Sequence, residues 1–140
     1  MESRVQWGAN DGSQSRGEWA EQVAASYLEK KGFVVLERNF QTRLGEVDLI
    51  AQKGVLLAFV EVRYRRSAAF GAPEETVTKA KRRKVILAAY DYTVRRGLTE
   101  QRVIRFDVVA VVAAPGGHEI LHLEDAFEAD LSRLAPPPLM

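Results

Sequence analysis

Two apolar runs that carry acids constrain this chain more than any other feature. Val47, Leu49, Ile50 and Ala51 form one run and Phe59, Val60 and Val62 the next, with a Lys53-Gly54 turn signal between them. β-branched and aromatic residues in such runs predict strands of a buried sheet. Glu46, Asp48 and Glu61 nevertheless sit inside these same stretches. An ionised carboxylate in a buried sheet costs several kcal/mol unless a partner or a metal takes its charge.

Pairing follows from parity. A two-residue turn at Lys53-Gly54 sets Gln52 opposite Val55, hence Glu46 opposite Glu61 and Asp48 opposite Phe59. Side chains alternate with a period of two, so Glu46, Asp48, Glu61 and Arg63 share one face. Any turn that keeps this parity gives the same face, whereas one bulge divides the set.

The remainder of the chain supplies a frame for this hairpin. Trp19, Ala20, Val23, Ala24, Tyr27 and Leu28 recur at helical spacing from Arg16 onward, and Gly32 after Lys30-Lys31 is a stop signal. Phe33 to Arg38 reads as a strand, and Asn39 to Leu44 as the turn into the hairpin. Pro73 before Glu74-Glu75 marks the start of a second helix that runs to about Arg96. Arg102 to Ala113 is a β-branched strand. Pro115-Gly116-Gly117 is a turn, His118 to Leu123 a short strand, and Asp125 to Leu134 a short helix or coil. Helix, three strands, helix and two strands describe an α/β fold, a mixed sheet of about five strands flanked by helices.

With 140 residues, 46% of them hydrophobic, the chain suits one compact domain. Its expected limits are 16–130, between a polar, disordered arm over 1–15 and a flexible Pro-rich tail over 131–140. There is no internal repeat. Lys and Arg number 20 against 19 Asp and Glu, so net charge alone predicts no polyanion partner. The absence of cysteine removes disulfides and thiolate metal sites and fits a reducing compartment, with cytoplasm the expectation. No apolar run approaches the roughly 20 residues of a membrane span.

Paired carboxylates with a cation on neighbouring strands suit Mg²⁺-assisted or Mn²⁺-assisted phosphodiester cleavage. Hard oxygens bind the metal, and a cation stabilises developing negative charge or orients water. Lys81, Val85, Ala88 and Tyr92 form one helical stripe, so Lys81 either reaches the acids or snorkels to solvent. Arg65, Arg66, Lys79, Lys81, Arg82, Arg83, Lys84, Arg95 and Arg96 lie in the loop and helix after the acidic hairpin. Contacts from them would go to nucleic-acid phosphates and carry no base sequence.

Asp48 followed in the next strand by Glu61-Val62-Arg63 resembles the PD-(D/E)XK signature of the restriction-endonuclease-like superfamily. Further motifs widen the likeness: Arg16-Gly17-Glu18-Trp19-Ala20-Glu21, Gly32-Phe33, Arg38-Asn39, Gly45 to Ile50, Phe59 to Ser67, Val77-Thr78 with Lys81, and Arg105 to Val109. Together they resemble the YraN family of bacterial proteins, UPF0102, over about residues 16 to 128. That family is similar to the archaeal Holliday-junction resolvases. The resemblance implies a restriction-endonuclease-like fold, metal binding by Asp48 and Glu61, and a helical acid at Glu21. Arg63 stands in the place of the usual lysine, where it can clamp phosphate but is a poor proton carrier. The implied partner is nucleic acid, most readily structured or branched DNA, with a homodimer suited to two symmetric cuts.

Two other readings stand beside it. A non-catalytic nucleic-acid-binding module on the same scaffold would explain Arg63 as lost chemistry. His118-Glu119-Ile120-Leu121-His122 matches the zinc peptidase signature H-E-x-x-H, which needs both imidazoles on one helical face. Its position after Pro115-Gly116-Gly117 predicts a strand instead, and the match is read as chance. Asp107 is expected to pair with Arg105 or another base, and Trp19, Tyr27 and Phe106 to belong to the core.

Overall fold

The computed structural model describes residues 16–66, 77–98 and 102–129. The elements are α1 (Arg16–Lys30), β1 (Val34–Gln41), β2 (Glu46–Lys53), β3 (Leu56–Arg65), α2 (Lys79–Arg95), β4 (Val103–Ala114) and β5 (Gly117–Phe127). They build one sheet in the order β1-β2-β3-β4-β5. Among the described strands only β3 and β4 pair in parallel, because the chain between them crosses over through α2. The helices lie on opposite faces, giving the restriction-endonuclease-like α/β arrangement expected.

Each helix uses small residues to approach the sheet closely. In α1 the buried side chains are Ala20, Ala24, Ala25 and Leu28. They pack on Leu49, Ala51, Ala58, Val60, Val109 and Val111. Gly32 ends the helix at φ +98°, a left-handed conformation disfavoured for other residues, with Phe33 N–H donating to the Leu28 carbonyl at 3.0 Å. On the other face Val85, Ala88, Ala89 and Tyr92 of α2 pack on Ile50, Leu57, Phe59, Phe106 and Val108.

Four sequence expectations need amendment. Lys53 pairs with Leu56 and Gln52 with Leu57, so the hairpin turn is Gly54-Val55 and the register moves by two residues. That displacement preserves parity. β1 continues through Asn39 and Phe40 to Gln41, and the following turn closes by Thr42 N–H donating to the Gly45 carbonyl at 2.8 Å.

The second helix begins at Lys79 rather than at Pro73. Thr78 is its extended N-cap, and its hydroxyl accepts the Lys81 N–H at 3.1 Å, replacing a partner that the first turn lacks. Pro73 and Glu74 lie outside the described residues.

β5 continues to Phe127, replacing the helix or coil expected from Asp125. Phe127 is 8% exposed and stacks on Phe106 at 5.2 Å. The extension is accommodated by a register shift opposite Asp107, where Asp125 takes φ +56°. Residues 130–134 of that expectation lie outside the described residues. Among the described residues no helix is long and apolar enough to cross a membrane.

Candidate active site

The β2–β3 ladder reaches the pair Leu49–Val60, and beyond it carboxylates take over from backbone pairing. Asp48 N–H donates to Glu61 Oε2 at 3.2 Å, while Val62 N–H donates to Asp48 Oδ2 at 2.8 Å. Each acid therefore satisfies the opposite strand. The alternation of β2 also breaks here: Leu49 packs on the α1 side, yet Val47 packs on the α2 side. A regular strand would keep residues two apart on one face.

Glu46, Glu61 and Arg63 gather around a residue of α2. Lys81 Nζ lies 2.8 Å from Glu46 Oε2 and 3.6 Å from Glu61 Oε1, and Arg63 Nη2 lies 3.7 Å from Glu61 Oε1. Lys81 thus turns inward to the acids instead of snorkelling. Glu61 is wholly buried, and its Oε1 has no hydrogen-bond partner. Both cations attract that oxygen from beyond hydrogen-bonding distance.

The electrostatics follow from this crowding. Burial first, and then the Asp48 charge, push the Glu61 carboxyl up to about 7 against the pull of Lys81, Arg63 and the Asp48 N–H. Burial likewise raises Asp48, opposed by the Val62 N–H and by the charges of Lys81 and Arg63. Glu21 comes from α1 and is raised by burial and by Asp48, against a side-chain hydrogen bond from Asn39. Half-buried Glu46 is lowered, first by its hydrogen bond with Lys81 and then by that cation's charge. Burial works against the Lys81 cation, but Glu46, Glu61 and Asp48 together outweigh it and raise its pKa.

Lys81 depends on the fit of α2 against the start of β2. A Cβ at Gly45 would stand 2.0 Å from the Lys84 carbonyl oxygen and 3.1 Å from the Ala88 nitrogen. Both are backbone atoms, so the contact has no flexible side chain to yield. Only glycine lets the helix settle this close, one turn from Lys81.

The oxygen donors suit a hard divalent cation, and orphaned Glu61 Oε1 is the atom such an ion would satisfy. Among the described residues no three acidic or imidazole groups are gathered closely enough to hold an ion unaided. Asp48 and Glu61, each bonded to a backbone N–H of the other's strand, are the neighbouring oxygen donors, and Glu21 is close enough to Asp48 to feel its charge.

The basic residues divide. Lys79, Arg83, Lys84 and Arg66 are exposed, and Arg65 is half-buried. Arg82 is partly committed within the fold: its Nε donates to the Val77 carbonyl at 2.9 Å and its guanidinium lies over Phe127. Arg95 and Arg96 do not adjoin the acids, being about 20 Å along α2 from Lys81 at 1.5 Å per residue. Arg95 pairs with Asp91, and Arg96 covers Tyr92 at 4.0 Å.

His118 and His122 lie on β5, where four residues span about 13 Å, so they cannot share one zinc as they would on a helix. His118 packs edge-on to Trp19. His122 Nε2 lies 2.8 Å from Asp107 Oδ2, and its Nδ1 lies 3.0 Å from the Tyr27 hydroxyl. Arg105 donates to both Asp107 oxygens at 2.8 Å, and Asp125 N–H donates to Oδ1 at 3.0 Å. Burial would raise Asp107, but His122, Arg105 and the Asp125 N–H together hold it below its ordinary value. Asp107 has the expected structural pairing, with His122 an additional partner.

Sequence reasoning placed Glu46 among the acids of the hairpin face, and its partner proves to be Lys81. It assigned no site role to Asn39 or Gly45. The available signals were an asparagine continuing an otherwise strand-like segment and a glycine directly before two acids.

Fold and site define an α/β domain with a carboxylate–lysine cluster at a splayed strand pair. The sequence model of the uncharacterised protein family UPF0102 matches residues 20–111, and the chain belongs to that family. A UPF0102 protein of Anaeromyxobacter dehalogenans is 48% identical over 123 residues, covering 88% of this chain and 91% of the relative. One of Nitrosococcus oceani is 42% identical, covering 82% and 93%. Another of Syntrophomonas wolfei is 46% identical, covering 79% and 96%.

Proposed function

We propose that the protein is a metal-dependent nuclease of PD-(D/E)XK type that hydrolyses phosphodiesters in structured or branched DNA. The observation that carries this reading is Glu61 Oε1. A fully buried carboxylate oxygen without a hydrogen bond, beside the half-buried Asp48 and between two cations, is costly in an ordinary core. It is useful where a divalent ion and a phosphate are to be held.

Asp48 and Glu61 would hold Mg²⁺ or Mn²⁺, with Glu21 joining directly or through water. When bound, such an ion polarises the phosphate and lowers the pKa of a coordinated water. Lys81 brings an ammonium to the acids from α2, which answers the departure at Arg63 without requiring the guanidinium to exchange a proton. Glu46 keeps that ammonium charged and in place through their 2.8 Å bond. Arg63 is left to neutralise phosphate charge. Exposed Lys79, Arg83, Lys84 and Arg66, with Arg65, provide sequence-independent contacts to the nucleic-acid backbone.

Purified protein with Mn²⁺ is expected to cut flap, junction or single-stranded substrates. Asp48→Ala and Lys81→Ala should each lower the rate by at least about a hundredfold. No cutting of any of these substrates, or an unchanged rate in Asp48→Ala, defeats the proposal. Binding that survives EDTA and Glu61→Ala without cleavage selects the non-catalytic module instead.

A further inference from the structure

α1 lies along β5 in two matched rungs. Trp19 meets His118, and eight residues further along the helix Tyr27 meets His122, four residues further along the strand. Eight helical residues and four strand residues both span about 12–13 Å, so the rungs stay in step. Each rung is an edge-on aromatic–imidazole pair with ring centres 5.4 Å apart.

Their surroundings differ. At the inner rung the His122 side chain is 5% exposed, and both its ring nitrogens are engaged, by Asp107 and by the Tyr27 hydroxyl. At the outer rung His118 is exposed, and among the described residues no hydrogen bond holds its ring. Trp19 is half-buried rather than a full member of the core, and a second ring meets it edge-on at 6.0 Å, that of half-buried Tyr64 on β3. The guanidinium of exposed Arg16 lies 5.7 Å from the centre of the Tyr64 ring. A cluster made only to seal α1 onto the sheet would bury its members, as the inner rung does. This one leaves aromatic and imidazole surface and a guanidinium plane open to water, a combination on which nucleobases stack.

The cluster also adjoins the acids. Tyr64 follows Val62 on the α1 side of β3, and Val62 N–H donates to Asp48 Oδ2 at 2.8 Å. Two strand residues place Tyr64 about 7 Å beyond Val62.

We propose that Arg16, Trp19, Tyr64 and His118 form a stacking site for an unpaired nucleobase of a nucleic-acid strand that runs past the acids. Such a site reads no base identity, since every base has a π-face. Its part in substrate choice rests on the nuclease reading above: it favours branched or flapped strands over continuous duplex, where the bases are already stacked on one another.

The test uses the full chain carrying Trp7→Phe, which leaves Trp19 as the one tryptophan, in EDTA. Anisotropy gives the affinity for a dye-labelled oligothymidylate and for an abasic deoxyribose-phosphate chain of the same length. The oligothymidylate is expected to bind about tenfold more tightly and to quench Trp19 emission. His118→Ala and Tyr64→Leu should each reduce that preference by at least about threefold and leave the affinity for the abasic chain unchanged. Equal affinity for the two chains, or no binding of either, overturns the proposal. So does unquenched Trp19 at saturation, or a preference that either variant preserves. Should Tyr64→Leu fail to fold, His118→Ala decides alone. Neither metal nor cleavage enters this titration, so the two readings fail separately. A base preference without Mn²⁺-dependent cutting refutes the nuclease and keeps the stacking site, and cutting without a base preference does the reverse.

Discussion

Replacing Glu61 with glutamine removes the charge that burial penalises most clearly while retaining an oxygen for the Asp48 N–H. In the wild type burial and Asp48 raise this carboxyl from 4.5 to about 7, so the unfolded chain releases the proton before the folded one does. Between those pH values the native state binds more protons, and stability falls as pH rises. The stabilising contribution is fully present below 4.5 and lost as pH passes about 7. Its size is at most roughly 3 kcal/mol, equivalent to roughly 10 °C in Tm for a domain of this length. Asp48 and Glu21, also raised by burial, tilt the wild type the same way, so the informative quantity is the difference between the two proteins. Urea unfolding of wild type and Glu61→Gln at pH 5 and pH 8 measures it. Glu61→Gln should lose less stability over that interval, and Mn²⁺ should restore the wild type at pH 8 but not the variant. Equal pH dependence in both proteins would refute the reasoning, because it would mean that Glu61 is not held protonated by its surroundings.

Other perturbations probe the supports of the site. Gly45→Ala must push α2 away from β2, since its methyl meets backbone at 2.0 Å; a loss of about 1–3 kcal/mol in urea unfolding is expected. Arg105→Met leaves the buried Asp107 carboxylate without its bidentate partner and should cost about 3–5 kcal/mol at pH 7. That penalty should shrink as acid protonates Asp107, because a lowered carboxyl contributes stability above its unfolded pKa and loses it as pH falls through the folded one. Stability measured from pH 7 to pH 3 tests the convergence of the two curves. Saturating Mn²⁺ at a hundred times Kd should add about 2.7 kcal/mol to the wild type, readable as a rise in Tm that Asp48→Ala abolishes.

Local chemistry made much of this molecule legible. The 3.6-residue pattern from Trp19 to Leu28 and the Gly32 stop mark α1 because a helix must bury one stripe and satisfy its last carbonyls. The acids at Asp48 and Glu61 stood out because ionised groups in apolar strands are expensive wherever the strands pair. Parity survived a two-residue error in register over the paired residues from Leu49 to Lys53, since only odd displacements exchange the faces of a strand, but it breaks between Leu49 and Val47.

Other features depend on contacts between distant residues. β5 reaches Phe127 because Phe106 supplies a stacking partner, which no local pattern after Asp125 reveals. Lys81 meets Glu46 and Glu61 because Gly45 lets the α2 backbone settle against β2. Arg38, next to the left-handed Asn39, reaches Gln22 of α1, a pairing that residue spacing cannot encode. The amino-acid sequence by itself determined which groups are chemically conspicuous and which helices and strands bear them. Tertiary structure alone decided which of those groups meet, because a charge becomes part of a site only through separations of a few ångströms set by packing across the whole fold.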